Sequence, residues 1–93
     1  MNEFDIILAP RAAKDLDGFT ASDRRKITGA LKTLGGNPFP RGKTVRKIKG
    51  KNDDFFRLRV DKHRVFYVIE HGKVVVLRVL SKKEAGRFIR KLE

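Results

Sequence analysis

The sequence predicts an α+β domain: an N-terminal strand and a helical hairpin packed on an antiparallel sheet, closed by a short C-terminal helix. Three observations carry this. Ile27, Ala30, Leu31 and Leu34 recur at i, i+3, i+4 and i+7, the spacing of one helical face. From residue 55 the period changes to two, in three successive runs. The connections between those runs are too short to hold a helical crossover, so the runs must pair antiparallel.

The elements follow in order. Glu3 to Leu8 alternates Phe4, Ile6 and Leu8 against Asp5 and Ile7, a short strand. Pro10 suits the first turn of a helix, and Gly18 suits its end. Thr20 or Ser22 can cap the second helix, with Asp23 favourable in its first turn. Gly35-Gly36-Asn37-Pro38 ends it. Gly29 lies inside that helix, where glycine costs about 1 kcal/mol relative to alanine; close packing is the expected reason. Gly35 to Asp53 is a long connection, with Val45 and Ile48 able to tack it to the core as a short strand. Strands follow at Phe55–Val60, Arg64–Glu70 and Lys73–Leu80, with His71-Gly72 as a tight turn. Ser81 and Glu84 stand at capping-box spacing for a last helix over 81–92.

The 93 residues fit one small domain, 1–93, and 40% hydrophobic residues suffice for a modest core. No cysteine is present, so neither a disulfide nor a thiolate metal site is available. Two isolated histidines, His63 and His71, do not make a metal site, and no cofactor is expected. No apolar run approaches the roughly 20 residues of a membrane span. The start, MNEFDIILAP, is too short and too acidic for a signal peptide, so a cytoplasmic protein with no membrane partner is expected. Charge is the strongest bulk signal. Lys and Arg number 23 against 11 Asp and Glu, a net +12, which suits a polyanionic partner.

Alternation sets where that charge points. Phe56, Leu58 and Val60 share one strand face and should meet the helices. Arg57 and Arg59 then project from the opposite, solvated face, and Arg64 opens the next strand near them. Guanidinium forks match phosphate oxygens, and a fixed cluster can stabilise a phosphoryl transition state. The long connection adds Arg41, Lys43, Arg46, Lys47, Lys49 and Lys51, an RNA-binding loop or a solvated linker.

The run DFFRLRVDKHRVFYVIEHGKVVVLRV, residues 54–79, resembles the signature of the RelE/ParE superfamily of type II toxins. That pattern has alternate basic residues on a strand, a Gly-Asp-Tyr-Arg-like turn, here Asp61-Lys62-His63-Arg64, then Val-hydrophobic-Tyr, here Val65-Phe66-Tyr67. Arg46-Lys47-Ile48-Lys49-Gly50 resembles the family's Lys-hydrophobic-Lys-Gly segment, and Asn37-Pro38 also fits. The resemblance spans nearly the whole chain. It implies a curved antiparallel sheet with helices on one side.

It also implies two activities. The RelE branch cleaves mRNA in the ribosomal A site without metal, by attack of the ribose 2′-hydroxyl on the adjacent phosphate. The ParE branch inhibits DNA gyrase. The strand arginines favour the first; a catalytically silent antitoxin- and DNA-binding module is a third expectation. The implied partners are a cognate antitoxin, the ribosome with its mRNA, and operator DNA bound through the antitoxin complex. By the same resemblance Arg57, Arg64 and Lys82, or its neighbour Lys83, hold the scissile phosphate, and Arg59 sits beside the attacking hydroxyl. The family often has a tyrosine in the C-terminal segment, where this chain has Gly86 and Phe88. Phe88 can stack on a base but cannot donate a proton. His63 is then the nearest group titrating near neutrality, unless it only packs or is solvated. Tyr67 reads as a packing residue with a bonded hydroxyl, and Glu84 as a cap. The segment Ala85 to Leu92 is expected to need the antitoxin for cover.

Overall fold

Both caps form as the sequence spacing requires. In the computed structural model, which describes residues 3–51 and 53–92, Thr20 Oγ1 accepts a hydrogen bond from the Asp23 amide at 3.1 Å. At the last helix, Ser81 Oγ donates to Glu84 Oε1 at 2.9 Å, and the Glu84 amide donates back to Ser81 Oγ at 3.2 Å. The one-domain expectation for 1–93 also covers Met1, Asn2, Asn52 and Glu93, which lie outside the described residues.

The elements are β1 (Asp5–Leu8), α1 (Pro10–Asp17), α2 (Ala21–Gly36), β2 (Val45–Ile48), β3 (Phe55–Val60), β4 (His63–Glu70), β5 (Lys73–Ser81) and α3 (Lys82–Leu92). They build an α+β fold around one five-stranded sheet in the order β1-β5-β4-β3-β2. The four strands β2 to β5 are antiparallel neighbours, and the long connection does contain the short strand at Val45–Ile48. β1 differs from the all-antiparallel expectation: it runs parallel to β5, with Ile6 beside Val74 and Leu8 beside Val76. Alternation fixes which face a side chain takes but not strand direction, so this pairing could not be read from the pattern. The tight turn at His71-Gly72 has φ of 47° and 76°, the two positive values of a type I′ hairpin turn.

The helix pair packs on one sheet face. Ala12, Leu16, Ile27, Leu31 and Leu34 meet Val45, Leu58, Val65, Tyr67, Val74, Val76 and Val79, all buried, with Phe56 and Val60 packed against them. Tyr67 behaves as a core residue: its ring stacks on Phe56 at 5.5 Å and its hydroxyl donates to the Pro38 carbonyl at 2.6 Å.

Two expectations are corrected here. The other sheet face is only partly open, and helices lie on both sides. α3 crosses that face and seals a second core of Phe55, Phe66, Leu80 and Ala85, with Phe88 and Ile89 against it. The amphipathic spacing of Ala85, Phe88 and Ile89 supplies this cover from within the chain. Gly29, for its part, is not tightly packed: it is exposed, and a Cβ there would meet no atom within 4 Å.

Candidate functional site: an arginine cluster on the sheet

Strand register gathers four arginines on the sheet face that α3 crosses, beside the core it seals. Arg46 of β2 stands opposite Arg57 of β3. Arg59 of β3 stands opposite Arg64 of β4. Arg57 and Arg59 are two residues apart, so all four share one face. Sequence reading placed Arg46 in the loop; only the β2–β3 register brings it to the cluster.

Each guanidinium is held differently. Arg57 is half-buried and donates from Nη2 to the Lys43 carbonyl at 3.1 Å, while its Nε is buried without a hydrogen-bond partner. Arg64 is only 7% exposed. Its Nη1 donates to the carbonyls of Asp61 and His63, both at 2.9 Å. The expected outward-pointing Arg64 is therefore corrected: its guanidinium turns back onto the hairpin and satisfies carbonyls there. Arg59 is exposed. Among the described residues no ion pair reaches any of the four arginines.

The electrostatics follow. Burial lowers the Arg57 pKa, and the charges of Arg64, Arg46 and Arg59 lower it further. Burial and then Arg59 do the same to Arg64. Proximity and partial desolvation thus disfavour the charged forms, with no carboxylate to offset the strain. An incoming anion would reverse the sign of that interaction. The space for one is present: a groove of about 370 Å³ is lined by Arg46, Lys47, Ile48, Lys49, Arg57 and Ile89.

The remaining expected residues divide. Lys82 opens α3, and its amide donates to the Lys62 carbonyl at 3.0 Å, which sets Lys82 and Lys83 beside the β3–β4 turn at the Arg59–Arg64 end of the sheet. Both are exposed. Arg41, Lys43, Arg46, Lys47, Lys49 and Lys51 are all exposed too, but they do not form one surface. Lys47 is paired with Asp54 at 3.2 Å. Lys51 borders a different groove, floored by Phe55, Val68, Leu77 and Phe88. Arg41 closes a bridge with Val45, its amide donating to the Val45 carbonyl at 3.0 Å.

His63 and Phe88 do not join the cluster as freely placed groups. His63 lies on the helix side of the sheet, next to Phe19 at 4.6 Å between ring centroids and 3.9 Å from the Asp23 carboxylate. It is therefore on the opposite face from Arg64, as their adjacency in one strand dictates. Phe88 is fixed in an aromatic cluster, 4.8 Å from Phe66 and 6.4 Å from Phe55 between centroids. Packing explains that ring without a base to stack on.

Arg78 was not singled out from sequence. Its Nε and Nη2 donate to the two Asp15 carboxylate oxygens at 2.8 and 3.1 Å, and Asp15 also accepts from the Val79 amide at 3.0 Å. The same guanidinium lies 5.9 Å from the Phe88 ring centre, so Arg78 ties α1 to α3. A lone charge within the apolar run VVVLRVL was the available signal.

Residues 6–86 match the family described as the ParE toxin of the type II toxin–antitoxin system parDE. A Methanocaldococcus jannaschii protein named RelE1 is 31% identical over 86 residues, covering 90% of this chain and 94% of that one. The chain belongs to the RelE/ParE superfamily of type II toxins. Solved structures from that superfamily share its fold. The archaeal RelE–RelB complex from Pyrococcus horikoshii OT3 matches with TM-score 0.73 and 23% identity, over 86% of this chain and 96% of that one. The toxin–antitoxin complex RelBE2 from Mycobacterium tuberculosis matches with TM-score 0.75 and 19% identity, over 86% and 99%. In this RelE/ParE chain, then, Arg46 and Arg57 of the cluster line a groove together with Lys47 and Lys49.

Proposed function

We propose that this type II toxin is an mRNA endonuclease that works on the ribosome. The observation behind this is the arginine cluster: four arginines in register on one sheet face, one with a buried and unpartnered Nε, and none paired with a carboxylate among the described residues. Such a cluster suits a phosphodiester that gains charge as it reacts. In the reaction the ribose 2′-oxygen bonds to the adjacent phosphorus and the bond from phosphorus to the 5′-oxygen breaks. A 2′,3′-cyclic phosphate and a 5′-hydroxyl result. Arg57 and Arg46 would hold the non-bridging oxygens, and Arg59 would lie nearest the attacking hydroxyl. Lys82 or Lys83 would approach the same phosphate from the α3 end. Arg64 would contribute charge while keeping the hairpin closed.

The cluster contains no group that titrates near neutrality. Arginine is a poor proton acceptor. We assign proton transfer to water or to ribosomal groups, with the ribosome also fixing the mRNA bend. The exposed loop lysines Lys43 and Lys49 would add ribosomal RNA contacts. A cognate antitoxin would bind this chain, as RelB accompanies RelE in the Pyrococcus horikoshii complex, and would cover the cluster; that complex would bind operator DNA. A cytoplasmic location fits these targets, and no described helix is long and apolar enough to cross a membrane.

That the cluster holds no group titrating near neutrality favours one second reading, gyrase inhibition by binding alone. A reconstituted translation reaction separates the two. Metal-independent cuts in mRNA that require ribosomes support the nuclease. Intact mRNA, together with loss of DNA supercoiling by gyrase, supports the alternative.

A further inference from the structure

The outer face of α2 carries its own charge pattern, on the side of the sheet opposite the arginine cluster. Ile27, Leu31 and Leu34 bury the inner face. Arg24, Arg25, Thr28, Gly29 and Lys32 are exposed and, with Ala21, line a shallow open groove of about 720 Å³ along the helix. Nearby acids are engaged elsewhere: Asp23 faces His63 at 3.9 Å, and Asp61 takes Lys26 at 3.7 Å. Among the described ion pairs and side-chain hydrogen bonds, none involves Arg24, Arg25 or Lys32.

Gly29 supplies a second, separate observation. After proline, glycine is the weakest helix former. Among the described residues a Cβ at this position would meet no atom within 4 Å, so none of them requires its absence. What glycine does provide is close access of another backbone to the helix. Gly29 sits between Arg25 and Lys32, which are separated by about 10.5 Å of helical rise. Each strand of a duplex carries a phosphate about every 3.4 Å of axis. A smooth floor between cations at that separation fits a strand lying along the helix.

We infer that the α2 face binds the sugar–phosphate backbone of a nucleic-acid duplex, with Arg24, Arg25 and Lys32 on the phosphates and Gly29 at the closest approach. This site is separate from the arginine cluster and holds whether or not the chain cleaves RNA.

The test uses fluorescence anisotropy with a labelled RNA duplex and a DNA duplex of the same sequence. The parent is the full chain carrying Arg57→Ala and Arg59→Ala, which weakens the cluster. The parent should still bind. Adding Arg25→Ala and Lys32→Ala should weaken binding at least tenfold and flatten the plot of log affinity against log salt by about 1.8, the value for two phosphate contacts. Adding Gly29→Leu instead should weaken binding similarly, with Tm unchanged or higher. A preference for RNA or DNA names the natural source, and equal binding assigns recognition to phosphate alone. Loss of duplex binding in the parent overturns the inference. So does parent-like affinity in both α2 variants.

Discussion

Arg59 and Arg64 stand directly opposite each other across β3 and β4, a like-charge pair in register. Pairs of this kind destabilise a sheet, by a fraction of a kcal/mol up to about 1 kcal/mol. Replacing Arg59 by Leu should therefore raise Tm by a few degrees. The same change should lower mRNA cleavage at least tenfold, because it removes a guanidinium from the phosphate. Thermal melts and single-turnover cleavage, measured on one preparation, check both halves. A cooler melt would show that the pair does not repel.

Arg64 should behave oppositely. Its guanidinium satisfies the carbonyls of Asp61 and His63 and is almost fully buried. Arg64→Ala should lose about 1–3 kcal/mol of stability through those unsatisfied groups. Activity lost with that variant would then report folding as well as chemistry. Arg64→Lys keeps the charge and puts three N–H donors on one nitrogen, as Nη1 alone serves both carbonyls here, and should recover part of the stability. Urea titrations of the two variants measure this directly.

Tyr67 gives a pH dependence with a defined sign. Burial raises its phenol pKa above the ordinary value of 10.0. The folded state thus holds the proton more tightly than the unfolded state, whose phenol ionises near pH 10. The associated stability is complete below pH 10 and declines as pH rises through the folded value, by up to about 1.4 kcal/mol per pH unit. Tyr67→Phe should cost about 1–2 kcal/mol at neutral pH by orphaning the Pro38 carbonyl. The difference between wild type and Tyr67→Phe should be flat below pH 10 and shrink above it. Denaturant unfolding at a series of pH values reads the curve.

The Asp15–Arg78 pair should be structural. Asp15→Ala removes three acceptor contacts from partly buried groups and should cost about 1.5–3 kcal/mol. By the scaling for a domain of this size that is a fall in Tm of roughly 6–24 °C. Little change would mean that solvent replaces the carboxylate.

Much of this arrangement was legible before any coordinates. Period-two alternation placed Leu58 inward and Arg59 outward, and the spacing of Ser81 and Glu84 announced the α3 cap. His63 and Arg64 are adjacent in β4, so they cannot share a face, and His63 could have been excluded from the cluster on that ground. Other features lay beyond the sequence. Arg46 reaches the cluster through the β2–β3 register, which no local pattern fixes. The near-complete burial of Arg64 depends on a β3–β4 turn in which Asp61 takes φ of 52°. The irregularity opposite Phe66/Tyr67, where Leu77 is skipped in the ladder, is hidden because the β5 sequence around it is apolar on both faces.

Whether the cluster stabilises a reacting phosphate is read from the single-turnover rate of mRNA cleavage on programmed ribosomes with Arg57→Ala. Arg57 is the member flanked by the other three, with its Nε unpartnered. The expected result is a loss of at least a hundredfold in rate, about 2.7 kcal/mol of transition-state stabilisation, with ribosome binding and the cooperative melt retained. An Arg57→Ala chain that is folded, bound and cleaves at the wild-type rate would contradict the claim.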